Sequence, residues 1–357
     1  MPSLKKGVLM NQDCQKPKIR QSNFELLRII AMFMVLILHA DFQALGAPDK
    51  AEIINYPLAA TIKVILEMAS IVAVNVFVLI SGWFGIRPSV KGISKFIFQC
   101  LFFSLGIYAV VLIKGDVSFS IRGFADCFAM FGGGYWFITS YLCLYLLAPV
   151  INAFIETAER VLYRNILIAF FVFQTIYGFC SNGAAFLMKG YSAMSFIGLY
   201  MLAGYFKKYV NVQKYTKIMY LCIYISATLL LSILYIGGEY VGISAISSRC
   251  IDYSNPLVII SAMSLLLLFA KIDITSKFIN SIGASCFAIY LVHTNSNVYS
   301  SYYLQSIENM VTDYTFFSFF SAAGGVCAWF VFAILLDKLR IVFYDVTVRV
   351  WKWCKTS

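Results

Sequence analysis

The chain has 357 residues, of which 61% are hydrophobic and only 13% are charged, and its formal net charge is +11. Soluble domains carry about 45–50% apolar and about 25% charged residues, so this composition excludes a soluble globular protein. The basic residues stand in short clusters between apolar runs, which argues against nucleic acid as a partner and is typical of the cytosolic loops of a membrane protein.

Ten apolar stretches have the composition of membrane spans, which need about 20 mostly apolar residues each. They cover residues 24–44, 62–84, 94–113, 135–154, 165–181, 193–206, 217–237, 256–270, 281–299 and 316–336. The sixth and eighth are short, which indicates helices that are tilted, broken or shielded by their neighbours. The predicted fold class is an all-α polytopic membrane protein with about ten transmembrane helices.

The distribution of lysine and arginine predicts the orientation of these spans. With the N-terminus in the cytosol, 21 of the 28 basic residues fall in cytosolic segments, six fall on the other side, and Arg28 lies in the first span. The positive-inside rule favours this arrangement, in which both termini are cytosolic. The predicted organisation is a basic N-terminal segment (1–23), one membrane domain (24–336) and a basic C-terminal tail (337–357).

The ten cysteines do not follow the spacing of a disulfide framework or of a metal site. There is no C-x-x-C pair and no His/Cys cluster with metal-ligand spacing. Five of the cysteines lie inside apolar runs, where cysteine behaves as a small hydrophobic residue: Cys100, Cys143, Cys222, Cys286 and Cys327. We expect free thiols and no structural metal.

The first span, "NFELLRIIAMFMVLILHAD" (23–41), contains two ionisable residues, Arg28 and His39, separated by ten apolar residues. Eleven residues of α-helix turn through about 1,100° and rise about 16 Å, so the two side chains share one face, with Met32 and Val35 between them. Each alone has an ordinary explanation, since Arg28 can snorkel to the interface and His39 can bond a backbone carbonyl. Their joint placement favours a functional site, because ionisable groups within membranes usually mark sites or pathways.

Four segments resemble, in order, elements of the acyltransferase-3 family of integral-membrane acyltransferases. The first is the Arg-x10-His pattern of Arg28 and His39. The others are "NVFVLISGWFG" (75–85), "YWFITSYLCLYLLAPVI" (135–151) and "SCFAIYLVHT" (285–294). The likeness covers nearly the whole chain and includes the number of spans.

One loop departs from this resemblance. Family members often have an Arg-rich loop after the second span, whereas "GIRPSVKGISKF" offers only Arg87, Lys91 and Lys95. The role of this loop is therefore left open.

The family moves an acyl group, usually acetyl, from a coenzyme A thioester to a hydroxyl, commonly on a cell-surface polysaccharide or a lipid-linked glycan. The resemblance thus implies a multi-pass O-acetyltransferase of the cell membrane that uses acetyl-CoA as co-substrate. His39 would be the general base, since the ordinary pKa of a histidine side chain lies near working pH. Arg28, nearer the cytosol, would hold the phosphates or pantetheine of coenzyme A through charge-assisted hydrogen bonds.

Polar residues in the second span are candidates for supporting roles. Glu67 is expected to orient His39 or to pair with Arg28, with an ion pair for packing as the alternative. Asn75 and Ser81 are candidates for binding the donor, or they bridge helices.

Further candidates lie at the start of the fourth span and in the ninth. Trp136 follows "FGGG" (131–134), whose three glycines permit a close backbone approach, and it is either a donor-binding residue or part of an aromatic belt. His293, Tyr290 and Asn295 are candidates for binding the acceptor, or they have a packing role.

Three other functions fit the membrane fold. A carrier or flippase for a lipid-linked saccharide also needs polar groups within spans, but it predicts paired broken helices in two related halves, and the sequence shows no such symmetry. The unrelated multi-span O-acyltransferase family has its histidine late in the chain. A scaffold protein gives no reason for Arg28 and His39.

Overall fold

The computed structural model of the protein describes residues 20–128, 135–181, 185–311 and 315–356. The basic segment that precedes Arg20 and the glycines at 132–134 lie outside these residues. The described residues form α-helices and contain no β-strand, which confirms the predicted all-α class.

The helices of the first half are α1 (Ser22–Leu38), α2 (Lys50–Asn55), α3 (Pro57–Ser70), α4 (Ala73–Phe84), α5 (Val90–Lys114), α6 (Ile121–Phe128), α7 (Trp136–Thr157) and α8 (Arg160–Phe173). Those of the second half are α9 (Ala193–Tyr209), α10 (Lys217–Val241), α11 (Ser244–Cys250), α12 (Pro256–Ala270), α13 (Lys277–Gly283), α14 (Cys286–His293), α15 (Gln305–Glu308) and α16 (Phe316–Thr356). Side-chain caps begin several of them: the Ser89 hydroxyl accepts from Gly92 N at the start of α5, and the Thr216 hydroxyl accepts from Met219 N at the start of α10.

Within the described residues, seven helices or joined helices are long and apolar enough to cross a membrane. They are Ser22–Leu45, Pro57–Phe84, Val90–Lys114, Trp136–Thr157, Arg160–Cys180, Lys217–Val241 and Phe317–Arg349, which correspond to the first five, the seventh and the tenth predicted spans. The chain is therefore a multi-pass membrane protein, as predicted.

The other three predicted spans are shorter helices. The sixth is α9, with 17 residues, and the eighth is α12, with 15, which begins and ends at the predicted residues. The α12 helix is mostly buried and packs against α4 and α10, so its neighbours shield it from lipid. The ninth is divided between α13 and α14. The total of ten spans thus stays a prediction.

The last helix differs from the sequence prediction in length. The predicted span ends at residue 336, whereas α16 runs without interruption from Phe316 to Thr356. Residues 337–356 of the predicted C-terminal tail therefore continue this helix, which brings Asp337 within hydrogen-bond distance of Gln99 in α5.

The α1 helix lies at the centre of the fold, where it packs against α3, α4, α12, α13, α14 and α16. At its C-terminal end the backbone widens into π-helical turns over His39–Leu45, and Gly46, with a φ of +78°, ends them. Such local widening of a helix is frequent at functional sites because it re-aims side chains. His39 is the first residue of the widened segment.

Candidate active site

A single cavity of about 720 Å³ passes both Arg28 and His39. Met32 and Val35 also line it, so the face predicted from helical spacing is the face that α1 presents to the cavity. The volume falls in the range of ligand sites, roughly 300–1,000 Å³. Its walls come from several helices, including α4, α5, α7, α14 and α16.

One end of the cavity, here called the basic end, is lined by four cations: Arg20, Arg28, Lys95 and Arg340. Arg28 Nη1 lies 2.5 Å from Glu25 Oε1, and Arg20 Nη1 lies 3.3 Å from Glu25 Oε2, so one carboxylate holds two guanidinium groups.

Arg340 is held at the same end by a second buried acid. Its Nε donates to Asp337 Oδ1 at 2.7 Å, and Gln99 Nε2 donates to the same oxygen at 3.0 Å. Asp337 is fully buried. Three of the four cations at this end are thus held by buried carboxylates.

A glycine makes room for the acid that organises the basic end. A Cβ at Gly283 would lie 2.4 Å from Glu25 Oε2 and 2.8 Å from Glu25 Cβ. Any larger residue would force the Glu25 side chain, and the two arginines bonded to it, to move.

His39, at the far end of the stripe, is hydrogen-bonded to His293. The His39 Nδ1 and His293 Nε2 atoms are 3.0 Å apart, and His293 Nδ1 lies 2.5 Å from the carbonyl oxygen of Ile289. A carbonyl oxygen only accepts, so His293 Nδ1 carries a proton, and with both rings neutral His293 Nε2 accepts from His39 Nδ1. The hydrogen-bond network therefore leaves the lone pair of His39 on Nε2.

The histidine pair is fixed by surrounding aromatic rings. His293 is 1% exposed and its ring packs against Tyr303, with the centroids 5.1 Å apart. The Tyr303 hydroxyl donates to the carbonyl oxygen of Leu36, on the helix that carries His39, at 2.6 Å. The ring of Tyr299 meets His39 edge-on at 5.3 Å.

Three further rings line the same cavity and touch one another: Trp136, Tyr191 and Tyr253, here called the aromatic cluster. The Trp136 and Tyr191 centroids are 4.5 Å apart, and those of Tyr191 and Tyr253 are 4.7 Å apart. Burial raises the pKa of both phenols, so both remain protonated at neutral pH.

Of the nine residues predicted from sequence, the cavity is lined by Arg28, His39, Ser81, Trp136 and Tyr290. The Ser81 hydroxyl donates to the carbonyl oxygen of Phe77 at 3.0 Å and lies 3.1 Å from the Tyr141 hydroxyl. The bond to Phe77 stays within α4, whereas the contact with Tyr141 joins α4 to α7.

The other four predicted residues do not belong to the cavity lining. Asn75 Nδ2 donates to the carbonyl oxygen of Tyr253 at 2.9 Å, and Asn295 Nδ2 donates to the Tyr135 hydroxyl at 2.9 Å. His293 lies behind the lining, where it contacts two residues of the cavity wall, His39 and Tyr290.

Glu67 differs most from its expected position. The partner of Arg28 is Glu25, and the partner of His39 is His293, so the two contacts expected of Glu67 are made by other residues. Glu67 is buried in α3, where it lies within electrostatic range of Asp41. The Glu25–Arg28 pair has i,i+3 spacing, a signal that was available in the sequence.

Comparison with known proteins agrees with the resemblance of the four sequence elements. The family described as "Acyltransferase domain", the acyltransferase-3 family, matches residues 21–336. No curated protein and no solved structure gives a significant match.

Proposed function

The chain belongs to the acyltransferase-3 family, and from that premise we propose that it transfers an acetyl group from acetyl-CoA to a hydroxyl of a cell-surface polysaccharide or lipid-linked glycan. The observation that supports this function is that one cavity is lined both by Arg28, at its basic end, and by His39, on the same face of α1. The reaction needs a cationic site for the anionic donor and a base for the acceptor hydroxyl, close enough together for one acetyl-CoA molecule to reach both.

The proposed topology has ten spans in a cell membrane, with both termini in the cytosol. Arg20, Lys95 and Arg340 belong to segments assigned to the cytosol, and Arg28 lies near that end of the first span. The basic end then opens to the compartment that contains acetyl-CoA.

Donor binding follows from the shape and charge of the cavity. The phosphates of coenzyme A bind among the four cations, because guanidinium groups match phosphate oxygens with paired, charge-assisted hydrogen bonds. The pantetheine arm extends past Met32 and Val35 for the roughly 16 Å that separate Arg28 from His39. Its thioester then lies beside His39.

His39 acts as the general base through Nε2, the nitrogen that is free in the hydrogen-bond network. It takes the proton of the acceptor hydroxyl while the oxygen attacks the thioester carbonyl carbon. When the tetrahedral adduct collapses, the carbon–sulfur bond breaks, and the imidazolium protonates the thiolate. Coenzyme A leaves as the thiol, the acceptor as the acetyl ester, and His39 is neutral again.

His293 is a positioning residue in this scheme. Its Nε2 accepts from His39 Nδ1 throughout, which fixes the tautomer that exposes His39 Nε2. The same hydrogen bond stabilises the imidazolium that forms on His39 during the reaction.

The test is acetyl transfer in membranes. Acetyl-CoA labelled in the acetyl group is supplied to membranes that contain the wild-type protein, the His39→Ala variant or neither, and surface glycans are then isolated. We expect label only with the wild type, and we expect mild alkali to release it as acetate. Absence of alkali-labile label, in a host known to make the acceptor, would contradict the proposal and favour a carrier.

A further inference from the structure

The aromatic cluster has no role in the chemistry described so far, although all three of its rings line the reaction cavity. Trp136 and Tyr253 are nearly parallel, with an interplanar angle of 26° and centroids 6.1 Å apart, and Tyr191 lies against both. The rings come from three distant parts of the chain, which assemble one aromatic surface.

The fold holds two of these rings by a strained backbone. Met188 and Lys189 have φ of 44° and 55°, in the left-handed region that residues other than glycine rarely adopt, and Gly190 follows at 96°. A Cβ at Gly190 would lie 2.6 Å from Tyr253 Cβ, so the close approach of the two segments requires glycine. Strain of this kind persists only where surrounding contacts enforce it, and it clusters at functional sites.

Ionic and hydrogen-bonded contacts enforce it here. Asp252, which is 3% exposed, lies 3.7 Å from Lys189 Nζ and 3.5 Å from Arg249 Nη1. The backbone N–H of Ser254 donates to the carbonyl oxygen of Lys189 at 3.2 Å. These contacts join Lys189, which lies two residues before Tyr191, to the two residues that flank Tyr253. They thereby fix the positions of both rings.

Ring contacts connect the cluster to the histidine part of the cavity. Phe137, adjacent to Trp136, packs against Tyr290, and the ring of Tyr290 packs against His293. A continuous series of ring contacts therefore joins the cluster to the His39–His293 pair.

We propose that the aromatic cluster is the acceptor subsite and that it binds a sugar in its pyranose ring form. This inference rests on the proposed acetyl transfer. One face of a pyranose consists of C–H groups, which are apolar and weakly positive, and they match the negative face of an aromatic ring. The tyrosine hydroxyls, protonated at neutral pH, can bond the hydroxyls at the rim of the sugar.

Two other planar or apolar groups fit this position less well. The adenine of coenzyme A is attached next to the phosphates, so it stays near Arg28 and the other cations when the thioester reaches His39. The acetyl group is a single methyl carbonyl, far smaller than the surface of three rings. The acceptor is the partner that must bring a hydroxyl to His39 Nε2.

The experiment compares Tyr191→Leu and Trp136→Leu with Tyr191→Phe, which keeps the ring, and with Tyr177→Leu, an exposed tyrosine that does not line the cavity. The acceptor probe is the host's surface polysaccharide, de-O-acetylated with mild alkali. For each purified protein we measure the KM for polysaccharide and for acetyl-CoA, and direct polysaccharide binding in the absence of acetyl-CoA.

We expect the two leucine variants at the cluster to raise the polysaccharide KM and to weaken direct binding by about tenfold, the loss of one good ring contact. Tyr191→Phe should retain most of the affinity, and Tyr177→Leu all of it. An unchanged polysaccharide KM, or a rise in the acetyl-CoA KM alone, would overturn the subsite.

Failure of the subsite and failure of the proposed function give different results. Wild-type protein that binds polysaccharide through these rings but transfers no acetyl group would support the subsite and contradict the enzyme. Acetyl transfer with an unchanged polysaccharide KM in the Tyr191→Leu and Trp136→Leu variants would support the enzyme and contradict the subsite. If a leucine variant does not fold, direct polysaccharide binding is measured for Tyr191→Phe and Trp136→Phe instead. Both variants keep an aromatic ring, so an affinity below one-tenth of wild type would also contradict the proposed subsite.

Discussion

The two ends of the cavity hold their side chains by different forces. At the basic end, charged groups are fixed by other charged groups, with Glu25 between Arg20 and Arg28 and with Asp337 bonded to Arg340. At the other end, His39 is fixed by a neutral acceptor, His293 Nε2, among aromatic rings.

The charged contacts at one end suit the binding of an anion, and the neutral hydrogen bond at the other suits proton transfer. An excess of cations attracts an anion over several ångströms and tolerates small errors in position, because Coulomb interactions fall off slowly with distance. Proton transfer needs one nitrogen, in one tautomer, within about 3 Å of the proton it takes. Changes at the basic end should therefore act on donor affinity, and changes at the histidine pair should act on turnover.

The largest effect is expected from His39→Ala. Loss of a general base typically lowers the rate by about 10²–10⁴-fold, and donor affinity should stay near that of the wild type because the cations are untouched. The measurement is turnover per folded molecule in detergent, with acetyl-CoA and the native acceptor, alongside thermal unfolding.

The matched control is Ile37→Ala, which shortens a side chain of the same helix outside the cavity lining. It should retain normal turnover. Near-normal turnover per folded His39→Ala molecule would contradict the catalytic role and leave His39 as a packing residue.

A smaller effect on turnover is expected from His293→Ala. Losing the acceptor for His39 Nδ1 removes one buried hydrogen bond, which corresponds to about a tenfold loss in kcat with little change in KM. His293→Gln places an oxygen close to the position of Nε2 and should recover part of the rate. A purely structural histidine would instead give low thermal stability, normal kcat per folded molecule and no recovery by glutamine.

At the basic end, Arg28→Ala should raise the KM for acetyl-CoA by about tenfold, because a charge-assisted hydrogen bond to phosphate is lost. Arg28→Lys should recover it only in part, since an ammonium lacks the planar fork of the guanidinium. Kinetics with varied acetyl-CoA measure both effects. Arg164→Ala, an exposed arginine outside the cavity lining, is the control; an unchanged KM for Arg28→Ala would indicate a snorkelling anchor.

Helical periodicity alone predicted the face of α1 that lines the cavity. The positions of Arg28, Met32, Val35 and His39 follow from 3.6 residues per turn, and the apolar composition predicted a bundle of membrane helices. Both are local properties, which a sequence displays directly. The bounds of α12 were predicted correctly for the same reason, since Asn255 and Pro256 begin that helix.

Partners that lie far apart in the chain could not be predicted in this way. His39 and His293 are 254 positions apart, and only the packing of α14 against α1 brings them together. The position of Glu67 deep in a span favours it as a partner of Arg28 or His39, but depth does not determine which helix faces meet. Tyr191 and Tyr253 lie in connecting segments whose close approach depends on Gly190 and on Asp252.

The last test, which is expected to leave activity unchanged, determines which end of the cavity faces the cytosol. A reporter fused after Lys355 should be cytosolic, and a short tag inserted between Gly46 and Ala47 should be external, because the asymmetry of basic residues places both termini inside. This insertion point is three residues from Asp49, whose side chain caps α2 and should stay intact, and a Cβ at Gly46 would meet no atom within 4 Å. Accessibility of the tag to an impermeant protease, in cells that retain normal activity, is the measurement.

An external C-terminus would contradict the ten-span arrangement. An internal tag at Gly46 would place His39 near the cytosol, and the basic end would then have to meet its anion from the opposite side of the membrane.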